Sequence, residues 1–260
     1  MNRFLKESIQ YVQQRNYLDD LYKVYPTAPN GLREVDLKVW SLVEKSFHRK
    51  NNKELISNLL NMELFPIKNS YVAFLRRDKR AIDRNSATID RLAEELYSMG
   101  LDKIFENCTM PKEANRQIGP MFKDWVRTQA LGVAPLRIND FMRTNGNAVL
   151  DASDAEMKSF AESYLNYYHD KGLDFLARIN GKYIIGEAKF LTDFGGHQNA
   201  QFQDAISVLK VKDVKAVKVA NLDGVLYIKG NPKMYRSLWN MYKEENIMSA
   251  LLLRNFLYSI

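Results

Sequence analysis

The sequence predicts an α/β (mixed α+β) protein, with a mainly helical part over residues 1–150 and an α/β core over residues 151–260. Three observations predict it. Apolar residues recur at helical spacing through much of the first half. Ser153 and Glu156 stand at the spacing of a capping box, which opens a helix. Beyond that helix, two β-type runs flank Asn180-Gly181, a strong short-range hairpin signature.

The elements follow in order. A helical pattern runs from Arg3 to Lys23 on Phe4, Leu5, Ile9, Val12, Leu18 and Leu21, and Pro26 and Pro29-Asn30-Gly31 break it. Further helical patterns cover Glu34 to Phe47, Lys53 to Met62 and Ser86 to Met99, the last stopped by Gly100. Cys108 to Gly119 reads as irregular, Met121 to Leu131 as helix, and Gly132 to Leu150 as loop-rich. The helix capped by Ser153 extends to about His169. Asp174 to Ile179 and Lys182 to Phe190 read as strands, and Asn199 to Leu209 as a helix. Val214 to Ala220 and Val225 to Ile228 read as strands around a Leu222-Asp223-Gly224 turn. Helices over Pro232 to Lys243 and Asn246 to Leu257 close the sequence.

Composition narrows the function. The 260 residues are 46% hydrophobic, ordinary for a globular protein, and include one cysteine, Cys108, so no internal disulfide forms. No apolar run reaches the roughly 20 residues that span a bilayer. Met1 to Arg15 has no apolar stretch of the secretory kind. The expectation is a cytoplasmic protein with no membrane partner. The net charge of +7 favours anionic partners, nucleic acid first, although solubility alone also accounts for a basic surface.

The hairpin sets the candidate chemistry. A two-residue turn at Asn180-Gly181 pairs Ile179 with Lys182 and, counting outward, sets Asp174 opposite Glu187. Lys189 lies two residues further, on the same face. Leu176 and Ile185 share that face, while Phe175, Ala177, Ile179, Ile184 and Ala188 point the other way, so the pair belongs inside a sheet. Two opposed carboxylates in a half-buried place repel, and either a proton or a cation must sit between them. Magnesium is a hard ion commonly held by one or two carboxylates with waters and a phosphate. The rival account is a set of solvated cross-strand charge pairs.

Asp174, about a dozen residues, then Glu187-Ala188-Lys189, behind a helix and before a helix and strand, resembles the PD-(D/E)XK nuclease superfamily, which includes many type II restriction endonucleases. Leu173 stands where the family name has a proline. The resemblance covers Ser153 to about Ile228. The stretches 111–122 and 187–202 are similar to restriction enzymes in particular. The resemblance implies a restriction-endonuclease-like core, a central mixed β-sheet flanked by helices. It implies Mg2+ held by Asp174, Glu187 and the Ala188 carbonyl, with Lys189 positioning the attacking water and 5′-phosphate ends as products. Glu162, on the preceding helix, is either a third acid or part of a solvated face.

DNA contacts are expected from residue types that read base edges or hold phosphates. His197, Gln198, Asn199 and Gln201 follow Gly195-Gly196 just after Lys189, where a capped helix start is the other reading. Gln201 could also support the catalytic site. Asn115, Arg116 and Gln117 cluster before Gly119-Pro120, and Arg137, Asn139 and Arg143 lie in the next irregular stretch, where surface roles compete. The basic run 76–80 is a phosphate contact or a solvated helix end. The three histidines are too scattered for a zinc site, and no Walker loop or dinucleotide fingerprint is present. The expected function is a magnesium-dependent type II restriction endonuclease cutting double-stranded DNA as a homodimer, its helical part gripping DNA or joining subunits. A repair or junction-resolving nuclease on the same core, or an inactive DNA-binding module, is the alternative.

Overall fold

The computed structural model describes residues 1–26, 33–111, 117–230 and 234–260. In chain order it begins with helices α1 (Arg3–Tyr11) and α2 (Tyr17–Val24). Then come α3 (Leu37–His48), α4 (Asn52–Leu60), α5 (Ser70–Arg77), α6 (Ala81–Arg84), α7 (Ser86–Met99) and α8 (Leu101–Thr109). These precede α9 (Ile118–Arg127), strand β1 (Ala134–Leu136), α10 (Ile138–Arg143), β2 (Ala148–Leu150) and α11 (Asp154–Leu165). The last part holds β3 (Phe175–Ile179), β4 (Lys182–Leu191), α12 (Gly196–Lys210), β5 (Val217–Gly224), α13 (Met234–Asn240), β6 (Ile247–Met248) and α14 (Ala250–Leu257).

The chain forms two compact units, Met1–Thr27 with Ala114–Ile260, and Ala28–Glu113. The expected division at residue 150 does not match them. The first two helices and residues 117–150 belong with the sheet, because β1 and β2 are strands of it. The second unit is helical, and Trp40, Val43, Leu55, Leu59, Leu92 and Ile104 are among its core residues.

The first unit is built on a mixed sheet in the order β1-β2-β3-β4-β5-β6. β3 is antiparallel to β2 and to β4, while β1 with β2, β4 with β5 and β5 with β6 run parallel. Both faces are covered. Phe175, Ala177, Ile179, Ile184 and Ala188 enter one core with residues of α9 and α14. Leu176 and Ile185 enter another with Phe160 and Leu165 of α11. This is the alternation expected for the hairpin, inside the mixed α/β architecture the sequence predicts.

Several elements differ from expectation. The first helical pattern is two helices, because Asn16 takes a left-handed conformation between them (φ 65°). The loop-rich stretch 132–150 contains β1, α10 and β2, and the irregular stretch begins inside α8. The α11 helix stops at Leu165, ahead of a left-handed Asn166 (φ 57°). α12 starts at Gly196, three residues early. Leu222-Asp223-Gly224 is no turn, because β5 runs through it and Val225–Tyr227 is a short 3-10 turn rather than a strand. Buried Asp223 is tolerated there because it accepts from Tyr25 Oη (2.9 Å), Ser249 Oγ (2.5 Å) and the Ala250 N–H (3.1 Å). Gly224 holds φ +97°, and a Cβ there would stand 2.1 Å from the Leu191 carbonyl oxygen. The last expected helix is β6, then α14 capped by Ser249. Pro232, the expected start of the helix before it, lies outside the described residues. Among the described residues no helix is long and apolar enough to cross a membrane.

Arg178 ties the hairpin to the segment around α10. It is 5% exposed and donates to the Gly146 carbonyl, the Phe141 carbonyl and Thr144 Oγ1, each at 3.0 Å, with its guanidinium 4.5 Å from the Phe141 ring. Charge-assisted bonds of this kind leave costly unpaired acceptors when the donor is removed. Replacing Arg178 with leucine is therefore expected to lower stability by roughly 2–4 kcal/mol, read from denaturant unfolding. An unchanged unfolding midpoint would show that these bonds do not hold the segment.

Candidate active site

The turn behaves as its residues require. Asn180 (φ 50°) and Gly181 (φ 75°) both take positive φ, as a tight hairpin reversal demands. Ile179 pairs with Lys182 and Phe175 with Gly186, the expected register. The ladder ends there. Asp174 lies just before β3, and its N–H donates to the Gly186 carbonyl at 3.1 Å. Its side chain reaches back across the pair, with Oδ2 accepting from the Ala188 N–H at 3.0 Å.

Asp174, Glu187 and Lys189 come together. Lys189 Nζ lies 2.9 Å from Asp174 Oδ2 and 2.5 Å from Glu187 Oε2. All three are largely buried, and Glu187 is only 6% exposed. Burial pushes the Asp174 pKa up, but Lys189 and the hydrogen bonds from Glu187 and the Ala188 N–H outweigh it, so the group stays charged below its ordinary value. For Glu187, burial and then the Asp174 charge push the pKa up to about 8. Burial draws the Lys189 ammonium down, but the two carboxylates outweigh it and hold it above the ordinary lysine value. The Lys189 ammonium bridges the two carboxyl groups, and burial together with the Asp174 charge favours a proton on Glu187.

The oxygen donors converging on a cation suit a hard divalent ion. Two carboxylates are what gathers here. Among the described residues no group of three or more His, Cys, Asp or Glu side chains could hold a metal ion. Glu162 does not join them, because it stands 3.5 Å from Lys158 one helical turn earlier, and both line a depression with Tyr168, His169 and Asp170. Of Ala188, the N–H is the group seen to act, on Asp174.

The expected DNA contacts are scattered. Asn115 and Arg116 lie outside the described residues. Gln117 is half-buried just before α9. Arg137, Asn139 and Arg143 are exposed on and beside α10, with Arg137 Nε 3.5 Å from Asp151 and Arg143 4.0 Å from Asp140. His197, Gln198, Asn199 and Gln201 all sit on the first turns of α12 rather than in a loop. His197 Nε2 and Gln201 Nε2 are 3.1 Å apart, and Asn199 Nδ2 donates to the Phe194 carbonyl at 3.4 Å. Gln198 is corrected from a surface contact to a loop support, since it is buried and its Oε1 accepts from the Thr192 N–H at 3.2 Å.

Residues the sequence did not single out complete the surroundings. Tyr167 is fully buried, and its hydroxyl has no hydrogen-bond partner among the described residues. Its pKa is raised by burial and then by the charges of Glu187 and Glu162. Tyr25 packs edge-on against Phe190 with centroids 5.3 Å apart. Lys123, Arg127 and Asp151 line a cleft with Asp174. Nothing local marks these positions, because each reaches the site from a distant segment.

The mixed sheet thus sets an acid beside β3 against an acid-x-lysine triplet on β4. The model of the Tsp45I type II restriction enzyme family matches residues 2–260, nearly the whole length. The chain belongs to that family, whose members are site-specific deoxyribonucleases acting on DNA. No curated protein and no solved structure matches it.

The raised Glu187 pKa has a consequence for stability. A folded-state pKa above the unfolded one means the folded protein holds the proton more tightly, so the stabilisation is complete below the unfolded value and is lost as pH rises toward about 8. In a chelating buffer, the wild type is therefore expected to lose melting temperature between pH 6 and 8 relative to Glu187→Gln, with the gap levelling beyond. A gap independent of pH would contradict a protonated Glu187.

Proposed function

We propose that this restriction enzyme is a PD-(D/E)XK nuclease that hydrolyses phosphodiester bonds of double-stranded DNA at a short specific sequence with Mg2+, leaving 5′-phosphate ends. The observation that carries this reading is the convergence of Asp174, Glu187 and Lys189 at one end of the hairpin. Asp174 and Glu187 would hold the magnesium, joined by the Ala188 carbonyl. Bound there, magnesium would neutralise phosphate charge and make water a better nucleophile.

The rest follows from side chains of this chain. The Ala188 N–H fixes the Asp174 carboxylate, so its oxygen is aimed before DNA arrives. The charged Lys189 ammonium is a ready donor toward a developing phosphate charge, in a partly water-excluded place where such interactions are strong. Glu187 would hold a proton until a cation takes its place between the two acids. Arg137, Asn139 and Arg143 at α10 and His197, Asn199 and Gln201 on α12, exposed or half-buried, would contact bases or phosphates. Two-fold-symmetric targets fit a homodimer, which we propose as the working assembly, acting in the cytoplasm.

Plasmid DNA incubated with magnesium tests this. Discrete bands are expected, and the fragments should religate without prior phosphorylation. Smearing, or preference for branched DNA, would instead indicate a repair or junction-resolving nuclease, and binding without cleavage an inactive DNA-binding module. Asp174→Ala is expected to lower cutting by at least about 10²-fold while leaving DNA binding measurable in calcium. Retained cutting would refute the role of that carboxylate.

A further inference from the structure

A second group of charges adjoins the acid pair. Lys123 and Arg127 stand one turn apart on α9 and so share a helix face. With Asp151, Asp174 and Phe175 they line a narrow cleft whose free volume, about 10 Å³, is that of roughly one water molecule. Acids hold it shut. Asp151, just beyond β2, accepts from Arg127 Nε at 2.8 Å and lies 3.5 Å from Arg137 Nε. Asp154, in the first turn of α11, pairs with Lys123, whose Nζ also lies 3.5 Å from the Ala152 carbonyl oxygen. Asp124 stands 2.8 Å from the other side of the Arg127 guanidinium.

Each pair has one open member: Arg127 is 46% exposed and Asp154 57%, while their partners Asp151 and Lys123 are each 17% exposed. Ion pairs open to water contribute little to stability, so one anion can replace another at small cost. A phosphodiester carries the same single charge as a carboxylate and offers two oxygens to the guanidinium fork. Because Asp174 lines the same cleft, a backbone phosphate held here would lie beside the acid pair.

We propose that Lys123 and Arg127 form a phosphodiester-binding pair adjoining Asp174, covered by Asp154 and Asp151 until the DNA backbone displaces them. The inference rests on the nuclease reading above and adds to it the residues that seat the strand. Arg137 joins the same exchange, since it shares the Asp151 carboxylate.

The test is the salt dependence of DNA affinity, by fluorescence anisotropy in calcium on a labelled duplex taken from a plasmid the wild type cuts. Each neutralised phosphate contributes a slope of about −0.9 in log affinity against log salt. The Lys123→Gln/Arg127→Gln double variant should bind roughly tenfold more weakly with a slope shallower by about 1.8. Arg127→Lys should keep the wild-type slope. Asp151→Asn/Asp154→Asn should bind several-fold more tightly at low salt, and more so than Asp170→Asn/Asp213→Asn, an equal charge change at two exposed loop positions. An unchanged slope in the lysine-arginine variant, or an acid variant no tighter than Asp170→Asn/Asp213→Asn, overturns the proposal. Should the lysine-arginine variant fail to fold, the acid variant decides. A wild type that cuts no DNA fails the nuclease reading first, before any variant is compared, and takes this inference with it.

Discussion

Two carboxylates set face to face inside a protein cannot both stay charged unless a cation stands between them, and the β3–β4 hairpin imposes that constraint on Asp174 and Glu187. The turn fixes the register, the register sets the acids at one end, and the apolar residues on both hairpin faces keep the pair inside the sheet. The Lys189 ammonium pairs with both acids, and burial with the Asp174 charge pushes the Glu187 pKa up to about 8. Oxygen donors gathered in this way are the kind that a hard divalent cation takes.

The parts that were legible in the sequence are those with a local chemical signature. Asn180-Gly181 announces itself because few residues accept positive φ at two successive positions. Ser153 and Glu156 form the full capping box, with Ser153 Oγ accepting from the Glu156 N–H and Glu156 Oε2 accepting from the Ser153 N–H. From these two features the position of the acid pair follows by counting.

The rest depends on contacts between distant segments. Leu222-Asp223-Gly224 has the composition of a turn, yet the strand continues because Tyr25 and Ser249 arrive from other parts of the chain to satisfy Asp223. β1, β2 and β6 are only two or three residues long, too short to show an alternation. Glu162 has the spacing of a site residue but turns to Lys158. Gln198 has the chemistry of a base reader but is spent on a backbone N–H. The charges of the α9 cleft come together only because α9, the end of β2 and the start of α11 meet beside Asp174.

The most direct measurement of the central claim is the carboxyl 13C titration of Glu187 by NMR in metal-free protein. The account predicts an apparent pKa well above the ordinary glutamate value, near 8, which falls toward that value when Asp174 is replaced by asparagine. A Glu187 carboxyl that titrates as an ordinary glutamate with Asp174 intact would contradict the opposed pair on which the site is built.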